Sequence, residues 1–443
     1  MMEYPRSYSC SSSSHYSNNH LQQQQLNSSS STLTSQRSFA SVPSLNNNCY
    51  SQSHYQPSTT VAYHHCLATL KGHTSSYVSS LTLSGNFLYT GSSDREIRSW
   101  DRTLLHSEFD PENTHSSSPT NMVVAGKGAV KSLVVQSDML FSAHQDHKIR
   151  VWKISNRHDD ETHIQKCTRV ATLPTLGDRA SKVLIPKNHV QIRRHKKSTW
   201  VHHVDAVSVL AFSADGSLLY SVSWDRTIKI WRTRDFTCLE SVNNAHEDAI
   251  NAMAVSTDGV VYSGSADKKI KVWKRMEGEK KHILVDTLEK HNSGINALVL
   301  SSDETLLYSG ACDKSILVWE RRQDDDDDDE EEEGYNGEMV VVGALRGHTK
   351  SILCLAVVSD LVCSGSADKT IRVWRRGINN KEYSCLAVLE GHNGPIKCLT
   401  AVVDDDCNNN DSDNPSDEGS SFLVYSGSLD CDVKVWKIFV PHL

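Results

Sequence analysis

The chain has 443 residues, 38% apolar and 23% charged, an ordinary globular balance with length enough to bury a core without disulfides or metals. No apolar run approaches the roughly 20 residues of a membrane helix, and Met1–Cys10 lacks the apolar stretch of a secretory leader, so a cytoplasmic or nuclear protein is expected. The net charge of −8 is unevenly laid out: Asp324–Glu333 is unbroken acid, a second acidic stretch spans Asp404–Glu418, and without these seventeen acids the remainder carries about +9. Like charges at that density repel and read as solvated loops. The twelve cysteines are scattered singly with no Cys-x-x-Cys pair, which reads as reduced, buried thiols.

Residues 1–60 come first and are low in complexity: Ser, Asn and Gln make up 31 of the 60. So little apolar surface cannot offset chain entropy, and a disordered tail is expected. Within it, Arg37-Ser38-Phe39-Ala40-Ser41-Val42-Pro43 resembles the Arg-x-Phe-x-Ser-x-Pro pattern that 14-3-3 proteins clamp once the serine is phosphorylated. Arg37 and Ser41 are therefore a candidate phospho-docking pair, with a 14-3-3 protein as candidate partner.

From about residue 62 the chain repeats itself. Seven segments share Ser or Thr, four residues on Asp, three on Ile or Val, three on Trp; in chain order the Asp–Trp pairs are Asp94–Trp100, Asp146–Trp152, Asp225–Trp231, Asp267–Trp273, Asp313–Trp319, Asp368–Trp374 and Asp430–Trp436. Period-2 alternation on both sides of each Asp reads as two strands joined by a tight turn. The hydroxyl residue then falls near the Trp, whose buried indole N–H needs an acceptor. Upstream of six hairpins stands a histidine: His73, His203, His246, His291, His348 and His392. Further strands precede and follow each histidine. Four short strands per repeat of about 42 residues is the mark of a propeller blade.

These residues resemble the WD40 family, whose repeat runs from Gly-His to Trp-Asp. Gly72-His73, Gly347-His348 and Gly391-His392 match the opening, while the closing pair survives only as Trp100-Asp101. The resemblance implies a hydrogen-bonded Trp, Ser or Thr, His and Asp tetrad in each blade, such as Trp273, Ser263, His246 and Asp267. Blade two departs, because Gly126 stands where the His belongs, and its network is expected to be incomplete. An all-β, seven-bladed propeller over 62–440 follows, closed by pairing Cys66–Leu70 with the last blade so that no strand edge stays open. Surplus residues fall near 110–125, 174–200, 322–338 and 403–421. The insert at 174–200, with the tail and the Cys66–His73 opening, resembles the plant JINGUBANG-like branch of WD40 proteins, which implies a growth or developmental regulator such as a restraint on pollen germination.

Ser, His and Asp recur at fixed spacing in nearly every repeat, whereas a catalytic site is a single constellation, so a structural network and no enzyme is expected. No phosphate loop or zinc spacing is present, and Asp411-x-Asp413 lacks the rest of a calcium loop, so neither cofactor nor metal is expected. Arg193–Lys197 is the strongest basic cluster but lacks the aromatic interleaving of a nucleic-acid binder. What remains is protein binding by a monomer through the propeller's top face, to a partner such as a transcription factor or 14-3-3 protein. The residues just before each Asp and just before each first strand are mostly small; Trp224 and Tyr77 are the aromatic exceptions and the candidate anchors. A ubiquitin-ligase substrate receptor is the alternative, because Trp319-Glu320-Arg321-Arg322 approaches the Trp-Asp-x-Arg found in some such receptors.

Overall fold

The computed structural model describes residues 42–46 and 62–441, apart from 74–75, 104–120, 126, 160–161, 184–188, 194–195, 277, 280, 322–337, 378–381 and 405–418. Arg37, Ser41, Gly126, all of the first acidic stretch and all of the second but Asp404 lie outside the described residues.

Seven four-stranded antiparallel sheets form the seven blades of a β-propeller. Blade four shows the pattern: inner strand Ile250–Val255, then Val261–Ser265, Ile270–Arg275 and outer strand His282–Leu288. Its third strand alternates as expected, with Ile270, Val272 and Trp273 buried and Lys271 half-buried. The turn between second and third strands shares one backbone feature in every blade. The residue after the repeated Asp is left-handed, with φ between 66 and 77° at Arg95, His147, Arg226, Lys268, Lys314, Lys369 and Cys431. In six blades the Asp Oδ1 accepts the N–H two residues on, for example Lys269 N to Asp267 Oδ1 at 3.0 Å. That side-chain bond fixes a conformation that the residue's own Cβ disfavours.

Tyr63–Lys71 pairs antiparallel with Asp432–Pro441, Leu70 opposite Val433 and Cys66 opposite Trp436, and so supplies the outer strand of blade seven. The expected closure of the ring is observed. Neighbouring blades interlock through their inner strands. A Cβ on Gly264 would meet Ile295 at 2.6 Å, and one on Gly310 would meet Ile352 at 2.5 Å, so the bare second strand admits the next blade's first apolar residue. Polar side chains bolt the same seam, with Asn251 Nδ2 donating to the Ile295 carbonyl at 3.1 Å and Asn296 Nδ2 to that of Ile352 at 2.8 Å.

The described parts of the inserts include regular elements. Within 174–200, a helix at Leu176–Val183 precedes a two-stranded hairpin, His189–Arg193 with Lys196–Thr199. Buried Asp178 accepts the Cys238 N–H at 3.0 Å, pinning this insert to the outer strand of blade three. The surplus placed at 110–125 is shorter than expected, because Asn121–Ala125 forms the outer strand of blade one. Asp404 departs from the solvated acidic stretch assigned to it. It is 4% exposed and held by Lys437 Nζ at 2.8 Å and by Ser421 Oγ at 3.1 Å, since a compact cation and a hydroxyl meet it at the sheet edge. In the tail, Val42–Asn46 is a described segment, and it lies against blades five and six.

Candidate partner-binding face

Six blades carry the complete tetrad. In blade four, Trp273 Nε1 donates to Ser263 Oγ at 2.9 Å, Ser263 Oγ meets His246 Nε2 at 2.8 Å, and His246 Nδ1 meets Asp267 Oδ2 at 2.8 Å. A carboxylate only accepts, so Nδ1 carries the proton and neutral Nε2 accepts from the serine. The hydroxyl thereby uses its donor on the imidazole and its lone pairs on the indole. His73–Asp94, His203–Asp225, His291–Asp313, His348–Asp368 and His392–Asp430 repeat this at 2.8–3.2 Å. His73, Asp94 and Glu96 also lie close enough together to suggest a metal site, but His73 and Asp94 are this tetrad pair and Glu96 is paired with Arg98 at 2.7 Å.

Blade two corrects the expected gap. Its histidine comes from its own second strand, not from the loop upstream. His144 Nε2 meets Ser142 Oγ at 2.8 Å, Trp152 Nε1 donates to that same Ser142 oxygen at 2.8 Å, and His144 Nδ1 donates to the Gly128 carbonyl at 2.9 Å. A backbone carbonyl thus replaces the carboxylate. Asp146 turns away to Arg150, whose Nη1 donates to it at 3.0 Å. Sequence inspection looked for the histidine upstream of the strand; the signal it missed is a histidine two residues after the repeated Ser, where other blades place Ser or Ala.

These networks give the protein an acid-sensitive frame. Burial, reinforced by the Arg150 charge, pushes His144 down to about 4 from 6.5, and burial lowers His203 and His392 against the pull of their aspartates. Burial would raise Asp267 and Asp313, but the bonds to His246 and His291 hold both at about 2. A histidine lowered in the folded state contributes stability that is full above pH 6.5 and lost on descent to about 4. A lowered carboxylate contributes stability that is present above its ordinary 3.8 and lost towards 2. Urea midpoints should therefore fall in two steps on acidification, and His144→Gln should shrink the first. A midpoint flat from pH 7 to 4.5 would contradict this account.

The tetrad turns emerge on one face with the inter-blade loops. There the N–H of the residue before each Asp donates to the carbonyl of the residue before the inner strand, in all seven blades and at 2.9–3.1 Å. This makes a rigid platform. Trp224 is 39% exposed on it, and Tyr77 is half-buried. The two expected anchors converge on a residue that sequence reasoning missed, Lys131 at the start of blade two. Lys131 Nζ lies 5.1 Å from the Trp224 ring centroid and 5.9 Å from that of Tyr77, and donates to Tyr77 Oη at 3.4 Å. Three successive blades thus build one aromatic–cation patch, stabilised by attraction between the ammonium and the ring faces. Leu429, 41% exposed, adds an apolar site on the same ring of positions. Arg193, Lys196 and Lys197 lie in the insert hairpin, apart from these positions in the chain. In the ligase-receptor pattern, Glu320 is exposed and Arg322 lies outside the described residues.

The family model for the WD domain, G-beta repeat, matches six segments: 64–101, 194–232, 236–274, 283–320, 339–375 and 383–437. The chain belongs to the WD40 family. The unmatched blade is blade two, where the tetrad is rewired. Similar proteins include Autophagy-related protein 16 of Arabidopsis thaliana, 23% identical over 65% of this chain and 55% of that protein. Transducin beta-like protein 3 of Bos taurus is 23% identical over 79% of this chain and 41% of its own length. Small ribosomal subunit protein RACK1 of Drosophila melanogaster is 34% identical over 22% of this chain and 30% of its own. The chain spans about half or less of the length of these curated relatives. WD40 propellers generally serve as scaffolds for protein–protein interactions. No helix among the described residues is long and apolar enough to cross a membrane.

Proposed function

We propose that this WD40 protein is a non-enzymatic regulatory scaffold that grips a protein partner on the Tyr77–Lys131–Trp224 patch. We also propose, from the resemblance of its 174–200 insert to the JINGUBANG-like branch, that it acts in plant growth or development, with restraint of pollen germination as the specific process and the cytoplasm or nucleus as its place. The observation that carries the binding reading is the exposed indole of Trp224 with an ammonium over its ring. Exposed aromatics on a rigid platform lose little entropy on binding and make good anchors, and the lysine suits a partner segment pairing an apolar group with an acidic one. A transcription factor or a 14-3-3 protein fits as partner class.

Proximity labelling in plant cells would recover candidates, and Trp224→Ala then tests the face. Affinity should fall roughly thirty-fold, about 2 kcal/mol, while the melting temperature stays unchanged. A folded variant that binds every recovered partner as tightly as before would remove this patch from consideration.

A further inference from the structure

The segment Val42–Asn46 occupies a groove between the outer strands of blades five and six, Met339–Leu345 and Tyr383–Leu389. It bridges both strand edges in parallel, Ser44 beside Ala344 and Asn46 beside Tyr383. Its backbone is bonded on both sides. The Ala344 N–H donates to the Pro43 carbonyl at 2.9 Å, the Leu45 N–H to the Ala344 carbonyl at 2.9 Å, and the Tyr383 N–H to the Leu45 carbonyl at 3.1 Å. Asn46 reads the next residue of blade five with its amide. Its Oδ1 accepts the Arg346 N–H at 2.9 Å and its Nδ2 donates to the Arg346 carbonyl, while the Arg346 guanidinium donates to the Val42 carbonyl at 3.2 Å.

Side chains add selectivity. Leu45 packs with Leu345 and Tyr383, and Val42 packs on the neighbouring cluster with Met339 and Ala344. Gly343 is the cradle: a Cβ there would stand 2.4 Å from Leu45, so a side chain at 343 and a leucine at 45 exclude one another. Pro43 and Ser44 face solvent and are not read.

We infer that this inter-blade groove is a peptide-docking site for an extended Leu-Asn segment, occupied in cis by residues 42–46 and open to a peptide of the same chemistry in trans when they leave. Main-chain bonds to sheet edges give affinity, and the Leu45 cradle with the Asn46 amide gives specificity, as in strand-addition recognition. The covalent connection through residues 47–61 gives the resident segment an effective concentration on the order of mM, enough to exclude a free peptide at micromolar levels. Pro43 also ends the Arg37–Pro43 phospho-docking pattern, so that pattern and the groove share this residue.

The test uses the full chain and a fluorescent peptide of residues 40–48. The Leu45→Asp protein should bind this peptide saturably and at least ten-fold more tightly than the unaltered protein, and the Ala344 and Tyr383 amides should exchange faster in it. A peptide carrying Leu45→Asp should not bind, nor should the wild-type peptide bind the Leu45→Asp, Gly343→Val double variant. Equal peptide binding by the unaltered and Leu45→Asp proteins, none by either, or unchanged exchange at Ala344 and Tyr383 would overturn the inference. If Gly343→Val misfolds, the peptide variant and the exchange measurement decide alone.

Discussion

A chain lacking residues 1–72 should melt far below one lacking only residues 1–60. The longer truncation removes the strand Tyr63–Lys71, and with it the pairing that runs from Tyr63 opposite Phe439 to Lys71 opposite Asp432. The backbone groups of Asp432–Pro441 on that side lose their partners, and Val433, Val435 and Trp436, each at most 3% exposed, lose cover. Several hydrogen bonds at about 1 kcal/mol each, plus the lost burial of Leu70, sum to more than about 5 kcal/mol, a large share of a typical domain's stability. Both truncations lack Val42–Asn46, so the comparison isolates the closing strand. Equal melting temperatures would show that the ring does not depend on it.

Trp231→Ala should be the most damaging point change in the body of the propeller, costing about 3–5 kcal/mol. Trp231 is 1% exposed, fills the core shared by blades two and three, and bonds Ser221 at 2.8 Å, so alanine leaves both a void and a hydroxyl short of a partner. Asp267→Ala should cost about 1–3 kcal/mol, because Asp267 accepts from His246 Nδ1 and from the Glu247 and Lys269 N–H groups. Asp146→Ala should spare the Trp152–Ser142–His144 relay, which ends on the Gly128 carbonyl, and should cost stability instead by leaving the guanidinium of Arg150, itself 4% exposed, without its carboxylate. Chemical denaturation of the three variants gives the ranking. A Trp231→Ala protein as stable as Trp224→Ala would refute the distinction between frame and face.

The fold was legible because a propeller writes its geometry seven times. The Ser–Asp–Trp spacing recurs since each blade solves the same burial of one indole, and the orphan strand at Cys66–Leu70 announced its pairing with the last blade. The rest depended on chain-distant neighbours. Lys131 occupies a position where other blades carry residues such as Ser79, Ser208 and Asn251, and only the curvature of the ring brings it between Tyr77 and Trp224. His144 was hidden because its imidazole reaches the hydroxyl from inside the strand. The docking of Val42–Asn46 was invisible in a tail whose composition is polar, since it rests on one leucine, one asparagine and a missing side chain at Gly343.

The origin of the blade-seven outer strand has a consequence for biosynthesis. Tyr63–Lys71 leaves the ribosome before its partner Asp432–Pro441 has been made. At ~5–20 residues per second, it waits on the order of tens of seconds beside a growing array of blades. An unpaired strand of apolar residues would be a hazard through that interval. This one carries Tyr63, His64, His65, Cys66, Thr69 and Lys71 outward even in the finished ring, with Leu70 as its one fully buried side chain. The strand that waits longest for its partner within the ring is thus the one with least to stick by, and it pairs only when Asp432–Pro441 reaches it.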